Sequence, residues 1–266
     1  MAVVAVFNQK GGVGKTTTCL NLGAALAREY KAPVGLDMDP QAHLSLACQI
    51  RENALGTGMA AFFRHKTPLS RLLRDTPSGW KIVPSSLELS KVDALYGGDA
   101  KAATLLRRGL AEDFVRSDTP ILIDCCPMLG VLTLNALLAC DRVLIPVSAD
   151  YLSLEGVKRL EGALQVLERR LGKAYVRRIV VTRFDPRRRL SHDIYRMLRD
   201  RYGSVVCETR ICENVALATS PMHGQDIFSY AARSGGAADY RSLADELWNS
   251  GFFQSVSVSQ GDRHVG

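Results

Sequence analysis

Eight residues near the amino terminus, Lys10-Gly11-Gly12-Val13-Gly14-Lys15-Thr16-Thr17, constrain this chain more than any other feature. They follow a short apolar run, residues 3–8, and lead into a stretch of helical periodicity at 15–30. Strand, glycine loop and helix in that order let backbone N–H groups turn inward around phosphate oxygens, and the helix start adds its positive end. Lys15 supplies charge to a β- and γ-phosphate, and the Thr16 hydroxyl is placed to ligate Mg²⁺. The general pattern G-x-x-x-x-G-K-[ST] wants glycine at position 9. Gln9 stands there instead, followed by a second lysine, Lys10.

Beyond the loop, β-rich runs alternate with longer helical periods. Strands are expected at 3–8, 33–38, 81–83, 121–124, 142–147 and 179–183, with a weaker one at 205–207. Helices are expected at 15–30, 87–96, 100–116, 129–139, 154–170, 190–201 and 236–249. Strands separated by helices imply right-handed crossovers, so the expected fold is α/β: a mainly parallel twisted sheet with helices on both faces. At 266 residues with no internal repeat and no dividing linker, the chain reads as one domain over 1–250 and a flexible tail over 251–266. Hydrophobic residues at 47% against 23% charged exclude a fully disordered chain. The longest stretch without a charge, residues 125–140, is 16 long and broken by Pro127, Gly130 and Asn135. A membrane span needs roughly 20 apolar residues, so none is expected. The first residues read as a strand and not as a leader. Seven cysteines without a C-x-x-C pair read as reduced thiols of a cytoplasmic protein.

Two acidic strand ends complete the expected site. One is Asp37-Met38-Asp39-Pro40-Gln41; the other is Asp124. Ligands of open α/β sheets bind at the carboxyl ends of strands, where these carboxylates fall. A buried, unpaired Asp is costly, and holding Mg²⁺ directly or through water resolves that cost for Asp124. The plainer reading of Asp37 and Asp39 is a helix-capping turn. No [NT]-K-x-D guanine-reading motif occurs, which favours ATP over GTP.

The loop Lys10 to Thr17 resembles the deviant Walker A loop of the ParA-type partition ATPases, relatives of MinD within the P-loop class. Residues 37–41 resemble that family's second acidic motif, and Ile121-Leu122-Ile123-Asp124-Cys125-Cys126-Pro127 its Walker B and the turn after it. Pro146-Val147-Ser148-Ala149-Asp150-Tyr151, Phe184-Asp185-Pro186-Arg187 and His223-Gly224 follow in the family's order, so the likeness covers about residues 2–248. The resemblance implies an ATP-dependent homodimer in which Lys10 reaches the partner's nucleotide while Lys15 binds phosphate in its own subunit. It implies that Thr16 and Asp124 manage Mg²⁺, and that Asp39 positions the attacking water. Asp37, Asp39, Asp124, Cys126 and Pro127 would form the switch. Slow, partner-stimulated hydrolysis would drive segregation of a plasmid or chromosome with a ParB-like protein, in the cytoplasm and on the nucleoid. An orphan relative that positions a protein cluster would share this biochemistry. A MinD-like membrane ATPase is disfavoured, because 250–266 carries one Arg and no helical apolar stripe, so no stable membrane anchor is expected. With the loop beginning at residue 10, no preceding helix-turn-helix domain is expected either. One departure stands out. Where the family has Pro-Pro-Ser, this chain has Cys126-Pro127-Met128.

The net charge of +7 is local. Residues 176–201 hold nine Arg against three Asp, a net +6, so the other 240 residues carry only +1. On the helix expected at 190–201, Leu190, Ile194, Met197 and Leu198 form an apolar stripe, with Arg189, His192, Arg196 and Arg199 opposite. Arg187 and Arg188 sit in the loop before it. A solvated face of mixed sign is the usual reading, but a one-sign row favours the phosphate backbone of double-stranded DNA, bound without sequence preference and with steep salt dependence. By the family likeness Arg187 matches a DNA-contacting basic position, while a second such position is Ala216 here. The expected DNA surface is therefore Arg187, Arg188, Arg189, Arg196 and Arg199.

Overall fold

The computed structural model describes residues 2–50, 57–97, 101–114 and 117–254. Its strands are β1 (Val3–Val6), β2 (Val34–Asp37), β3 (Arg74–Asp75), β4 (Lys81–Val83), β5 (Ile121–Asp124), β6 (Arg142–Ser148), β7 (Val176–Phe184) and β8 (Val206–Cys212). They form one sheet in the order β3-β4-β2-β5-β1-β6-β7-β8. Every pairing is parallel except β3 with β4. This is a P-loop NTPase sheet, with β1 and the strand ends that carry the acidic residues at its centre.

The helices are α1 (Lys15–Glu29), α2 (His43–Ala47), α3 (Gly58–His65), α4 (Leu69–Leu72), α5 (Lys91–Tyr96), α6 (Leu105–Asp113), α7 (Val131–Ala139), α8 (Tyr151–Leu171), α9 (Arg189–Tyr202), α10 (Val215–Thr219), α11 (Ile227–Ala231) and α12 (Gly235–Asn249). Side chains alternate across each strand, and the sheet divides the core accordingly. Val3, Ala5 and Phe7 face the layer built on α3 to α9, while Val4 and Val6 face α1, α2 and α10 to α12. Both faces are covered, which is why the central strands read as nearly continuous apolar runs. Trp80 fills the space between α1 and β2. A Cβ on Gly35 would lie 2.6 Å from its ring and one on Gly23 2.9 Å, so two glycines set how closely the loop-bearing helix approaches the sheet.

Several boundaries differ from those expected. The first strand ends at Val6, although Phe7 still donates its N–H to the Leu144 carbonyl at 3.0 Å. The helix expected at 87–96 is a 3₁₀ turn, Leu87–Ser90, followed by α5. That expected at 100–116 is a 3₁₀ turn, Ala102–Thr104, and α6; residues 100, 115 and 116 lie outside the described residues. α8 starts at Tyr151 and not at 154, because the Asp150 side chain caps it by accepting from the Ser153 N–H. The weak strand at 205–207 is the start of a seven-residue edge strand, β8. The short elements α2, α3, α4, β3, α10 and α11 were not foreseen.

Two expectations need correction. α9 seats on the sheet through Ser191, Ile194 and Leu198, while Leu190 and Met197, expected in its core stripe, are half exposed. The tail expected from 251 does not begin there. Phe252 and Phe253 are buried in the layer around α12, Phe253 packs near Trp248, and the Arg142 guanidinium donates to the Gln254 carbonyl. Two aromatic rings bury enough apolar surface to hold this turn down. The rest of that tail, 255–266, lies outside the described residues.

Candidate nucleotide site

The loop is built from β1 outward. Asn8 anchors it: its Nδ2 donates to the Pro146 carbonyl at 2.8 Å, and its Oδ1 accepts from the Lys10 N–H at 3.0 Å. Gly12 and Gly14 have φ of 73° and 86°, a left-handed backbone that glycine adopts without strain. Nothing lies within 4 Å of where a Cβ on Gly11 or Gly12 would project, so the loop presents an open cradle of backbone. Val13 is buried and its carbonyl accepts from the Thr182 hydroxyl at 2.9 Å, which ties the loop to β7. Lys15 opens α1, is buried, and folds its Nζ back to the Lys10 carbonyl at 3.1 Å. Burial pushes its pKa down, opposed chiefly by the charge of Asp124.

Asp37 and Asp124 end adjacent parallel strands and are paired in register. Both are essentially inaccessible to solvent. Asp37 is well supplied with donors: the Asp39 N–H at 3.2 Å, the Ser45 N–H at 2.9 Å and the Ser45 hydroxyl at 2.6 Å. Burial still outweighs them and pushes its pKa up to about 6. Neither oxygen of Asp124 has a hydrogen-bond partner among the described residues. Burial, and then the neighbouring Asp37, push its pKa well above the ordinary carboxylate range, with Thr16 and Lys15 pulling the other way. Two buried carboxylates side by side, one of them orphaned, beside a loop threonine are a donor set that a hard divalent cation fits.

The loop and the segments that follow Asp37 and Asp124 line a cleft of about 890 Å³, with the two carboxylates themselves buried behind its surface. Its floor is Gly11, Gly12, Gly14, Lys15, Thr16 and Thr17. One wall carries Asp39, Pro40, Gln41 and His43; others carry Leu87 and Ser90, and Cys126, Pro127 and Met128. The Asp39 Oδ1 accepts from the Gln41 N–H at 2.9 Å, which fixes the carboxylate at the mouth. In the turn after β5, Cys126 Sγ lies 3.4 Å from the Thr133 hydroxyl, so a side-chain contact stands where a second proline would have stiffened the backbone.

Lys10 is the exception. It does not line the cleft; its Nζ reaches both oxygens of Asp150 at 2.7 and 2.6 Å and the Ser153 hydroxyl at 3.2 Å. Burial opposes it, but Lys10 and the hydroxyls of Ser148 and Ser153 hold the Asp150 carboxyl below its ordinary pKa. The sequence motif 146–151 includes Asp150 without assigning it a role; its signal is an Asp-x-x-Ser cap at the end of an apolar strand. Also missed was a second cavity, about 250 Å³, on the other side of the loop. It shares Gly12, Gly14 and Thr17 with the cleft and adds Thr182, Arg183, Glu213 and Asn214. Arg183 there has φ of 50°, a strained conformation for a residue with a side chain.

The arginine row lies away from this cleft and is partly neutralised. Arg187 binds Asp185 through Nε at 3.0 Å and Nη2 at 3.1 Å, and Arg188 adds a contact at 3.2 Å. The hydrogen bonds from Arg187 hold the Asp185 carboxyl at about 2. Arg189 and Arg196 share Asp193 at 3.7 and 3.0 Å. All four guanidinium groups remain largely exposed. Arg199, expected in the same row, is half-buried and donates to the Val206 carbonyl at 2.9 Å, so it serves the sheet edge.

The family model described as AAA domain matches residues 1–175. The chromosome-partitioning ATPase Soj of Treponema pallidum is 36% identical over 242 residues, which is 90% of this chain and 94% of that protein. Among solved structures, cobyrinic acid a,c-diamide synthase from Mycobacterium smegmatis, with a bound ATP analog and magnesium, superposes with a TM-score of 0.79 at 29% identity, covering 94% of this chain and 97% of that one. A plasmid partition protein from Borrelia burgdorferi B31 bound to AMPPNP gives 0.79 at 20% identity over 94% and 99% of the two chains, a likeness of fold. A chain that shares more than a third of its aligned residues with Soj along nine-tenths of its length belongs to the family of ParA/Soj partition ATPases.

Proposed function

We propose that this chain is an ATP-driven switch that binds ATP and Mg²⁺ in the cleft, dimerises on ATP, and positions a plasmid or chromosome with a ParB-like partner. In this reading the phosphates lie against Lys10 to Thr17, Thr16 and Asp124 hold Mg²⁺, the latter directly or through water, and Asp39 orients the attacking water. Phosphoryl transfer needs little beyond positioning and electrostatics, and a single carboxylate at the cleft mouth suits slow turnover that a partner accelerates. The nucleoside end would occupy the second cavity, next to Glu213 and Asn214.

The observation that carries the reading is the division between two loop lysines. Lys15 folds over its own loop, whereas Lys10 is held on Asp150 outside its own cleft. A lysine kept out of its own cleft would serve a nucleotide other than its own once a second copy draws it off Asp150, which is what a dimer needs. Exposed Leu87 and Met128 at the cleft and Tyr151 and Leu152 beside Asp150 give the second copy an apolar rim to cover. Double-stranded DNA would bind along Arg187, Arg188, Arg189 and Arg196, without sequence preference, and place the protein on the nucleoid. Among the described residues no helix is long and apolar enough to cross a membrane.

The test is ATP hydrolysis with and without DNA, against a Lys15→Ala control, together with DNA retention by a triple charge reversal of Arg187, Arg188 and Arg189 to Glu. Hydrolysis above the control is expected, and the triple variant should keep nucleotide binding. Its DNA affinity should lose salt dependence by about 0.9 in log–log slope for each phosphate contact removed. Unchanged DNA retention would overturn the arginine surface; turnover equal to the control would overturn the ATPase.

A further inference from the structure

On the reading that the cleft hydrolyses ATP, we propose that Ser45 is a positioning residue for hydrolysis, its hydroxyl holding Asp39 in register with the cleft through Asp37. Ser45 is on α2, is buried, and has no place in the phosphate loop or the acidic motifs. Its hydroxyl accepts from the Ser85 N–H at 2.9 Å and donates to Asp37 Oδ2 at 2.6 Å. The direction is unambiguous. A backbone N–H can only donate, so the single hydroxyl proton is available to Asp37.

Asp37 passes the constraint on. Its Oδ1 accepts the Asp39 N–H at 3.2 Å, and Asp39 Oδ1 in turn accepts the Gln41 N–H at 2.9 Å. One hydroxyl therefore ties together the two sides of the cleft. Asp37 leads into the wall of Asp39, Pro40, Gln41 and His43, and Ser85 leads into the wall of Leu87 and Ser90. The segment it holds is strained: Ala42 and Gln49, on either side of α2, have φ of 55° and 60°. Non-glycine residues held there relax when the surrounding contacts loosen. At the far end the Gln49 Nε2, bonded to the Gly224 carbonyl at 3.0 Å, offers a comparable side-chain tie. Without the Ser45 hydroxyl, Asp37 keeps its two backbone donors, so α2 stays folded while the wall carrying Asp39 loses its link to the wall carrying Leu87.

Ser45→Thr and Ser45→Val test this, because the two side chains have the same shape and differ only in the hydroxyl. Steady-state ATP hydrolysis and thermal midpoints are measured for both, for wild type and for Lys15→Ala. The Val variant should lose about tenfold to a hundredfold in kcat, as a misplaced catalytic group does, with KM for ATP close to that of the Thr variant. Its thermal midpoint should lie below that of the Thr variant, because the buried Ser85 N–H loses its acceptor. The Thr variant should recover most of the wild-type kcat. Equal kcat for Thr and Val overturns the proposal, as does a Val defect confined to KM. Should Val fail to fold, Ser45→Ala takes its place against Thr under the same criteria. A wild-type rate no higher than Lys15→Ala overturns the hydrolysis reading, and the proposal with it; a normal wild-type rate with an unaffected Val variant overturns the proposal alone.

Discussion

Trp80 has a glycine on either side, and the consequence is measurable. In Gly35→Ala the new methyl would meet the indole at 2.6 Å, and in Gly23→Ala at 2.9 Å, both against rigid ring atoms. Each should destabilise the protein by about 1–3 kcal/mol in urea denaturation. Gly162→Ala on α8, with nothing within 4 Å, should instead stabilise it by about 0.5–1 kcal/mol. Asp37 gives a prediction in pH. Its folded pKa, pushed up to about 6 by burial, lies above the unfolded value of about 3.9. Between those values the folded state binds more protons, so this group makes the magnesium-free, nucleotide-free protein more stable as pH falls from about 7 toward 5. Asp124, raised for the same reason, acts in the same direction. Denaturation midpoints at two pH values should show the rise, and Mg²⁺ should diminish it by stabilising the ionised pair. A midpoint that falls over this interval in Asp37-intact protein but not in Asp37→Asn would contradict the assignment.

The edge strand β8 shows how one element protects another. An unpaired strand edge invites association with other chains. Here the carboxylate of Glu246 on α12 accepts the N–H groups of Glu208 and Thr209 at 3.0 and 2.8 Å, and Asp239 accepts that of Cys212 at 2.8 Å. On the acceptor side Arg199 and Tyr195 of α9 bond the carbonyls of Val206 and Cys207. Glu246 also pairs with Arg178 at 2.9 Å, with both groups largely buried. Glu246→Ala should therefore cost about 1–3 kcal/mol, since Arg178 keeps the Ser204 carbonyl but loses its charge partner and two edge N–H groups lose their acceptor, and it should raise light scattering on storage. The same packing explains why the apolar pattern of α9 misled. Helical spacing groups Leu190 and Met197 with Ile194 and Leu198, but a helix packed beside the edge strand of a sheet buries a narrower strip than its whole apolar face. Arg199 was misplaced for the same reason: spacing gives the face, and only the neighbouring strand shows that a carbonyl is waiting there.

For the whole molecule, the cleft lies beyond the carboxyl ends of β1, β2, β4 and β5, with apolar residues around its mouth and a lysine withheld from it. ATP with Mg²⁺ should shift the protein from monomer to dimer in light scattering, and Lys10→Ala should prevent the shift while retaining nucleotide. A dimer that forms equally without nucleotide would contradict the reading. On the proposed reading, doubling the chain in this way would also double the arginine surface, and the local +6 would be presented as a pair of patches.

The sequence by itself determined the phosphate loop, the alternation of strands and helices, and which carboxylates end the central strands, because each rests on local rules of glycine conformation, side-chain period and strand polarity. Residues such as Gly14, Lys15, Asp37 and Asp124 were legible for that reason. Only the tertiary structure decided that, among the described residues, Asp124 has no donor while Asp37 has three, that Lys10 rests on Asp150 about 140 positions away, that Ser45 joins two walls of the cleft, and that Phe252 and Phe253 are core. Those facts depend on distances between segments remote in the chain. Periodicity carries no information about such distances, because they are set by how the layers pack on the sheet.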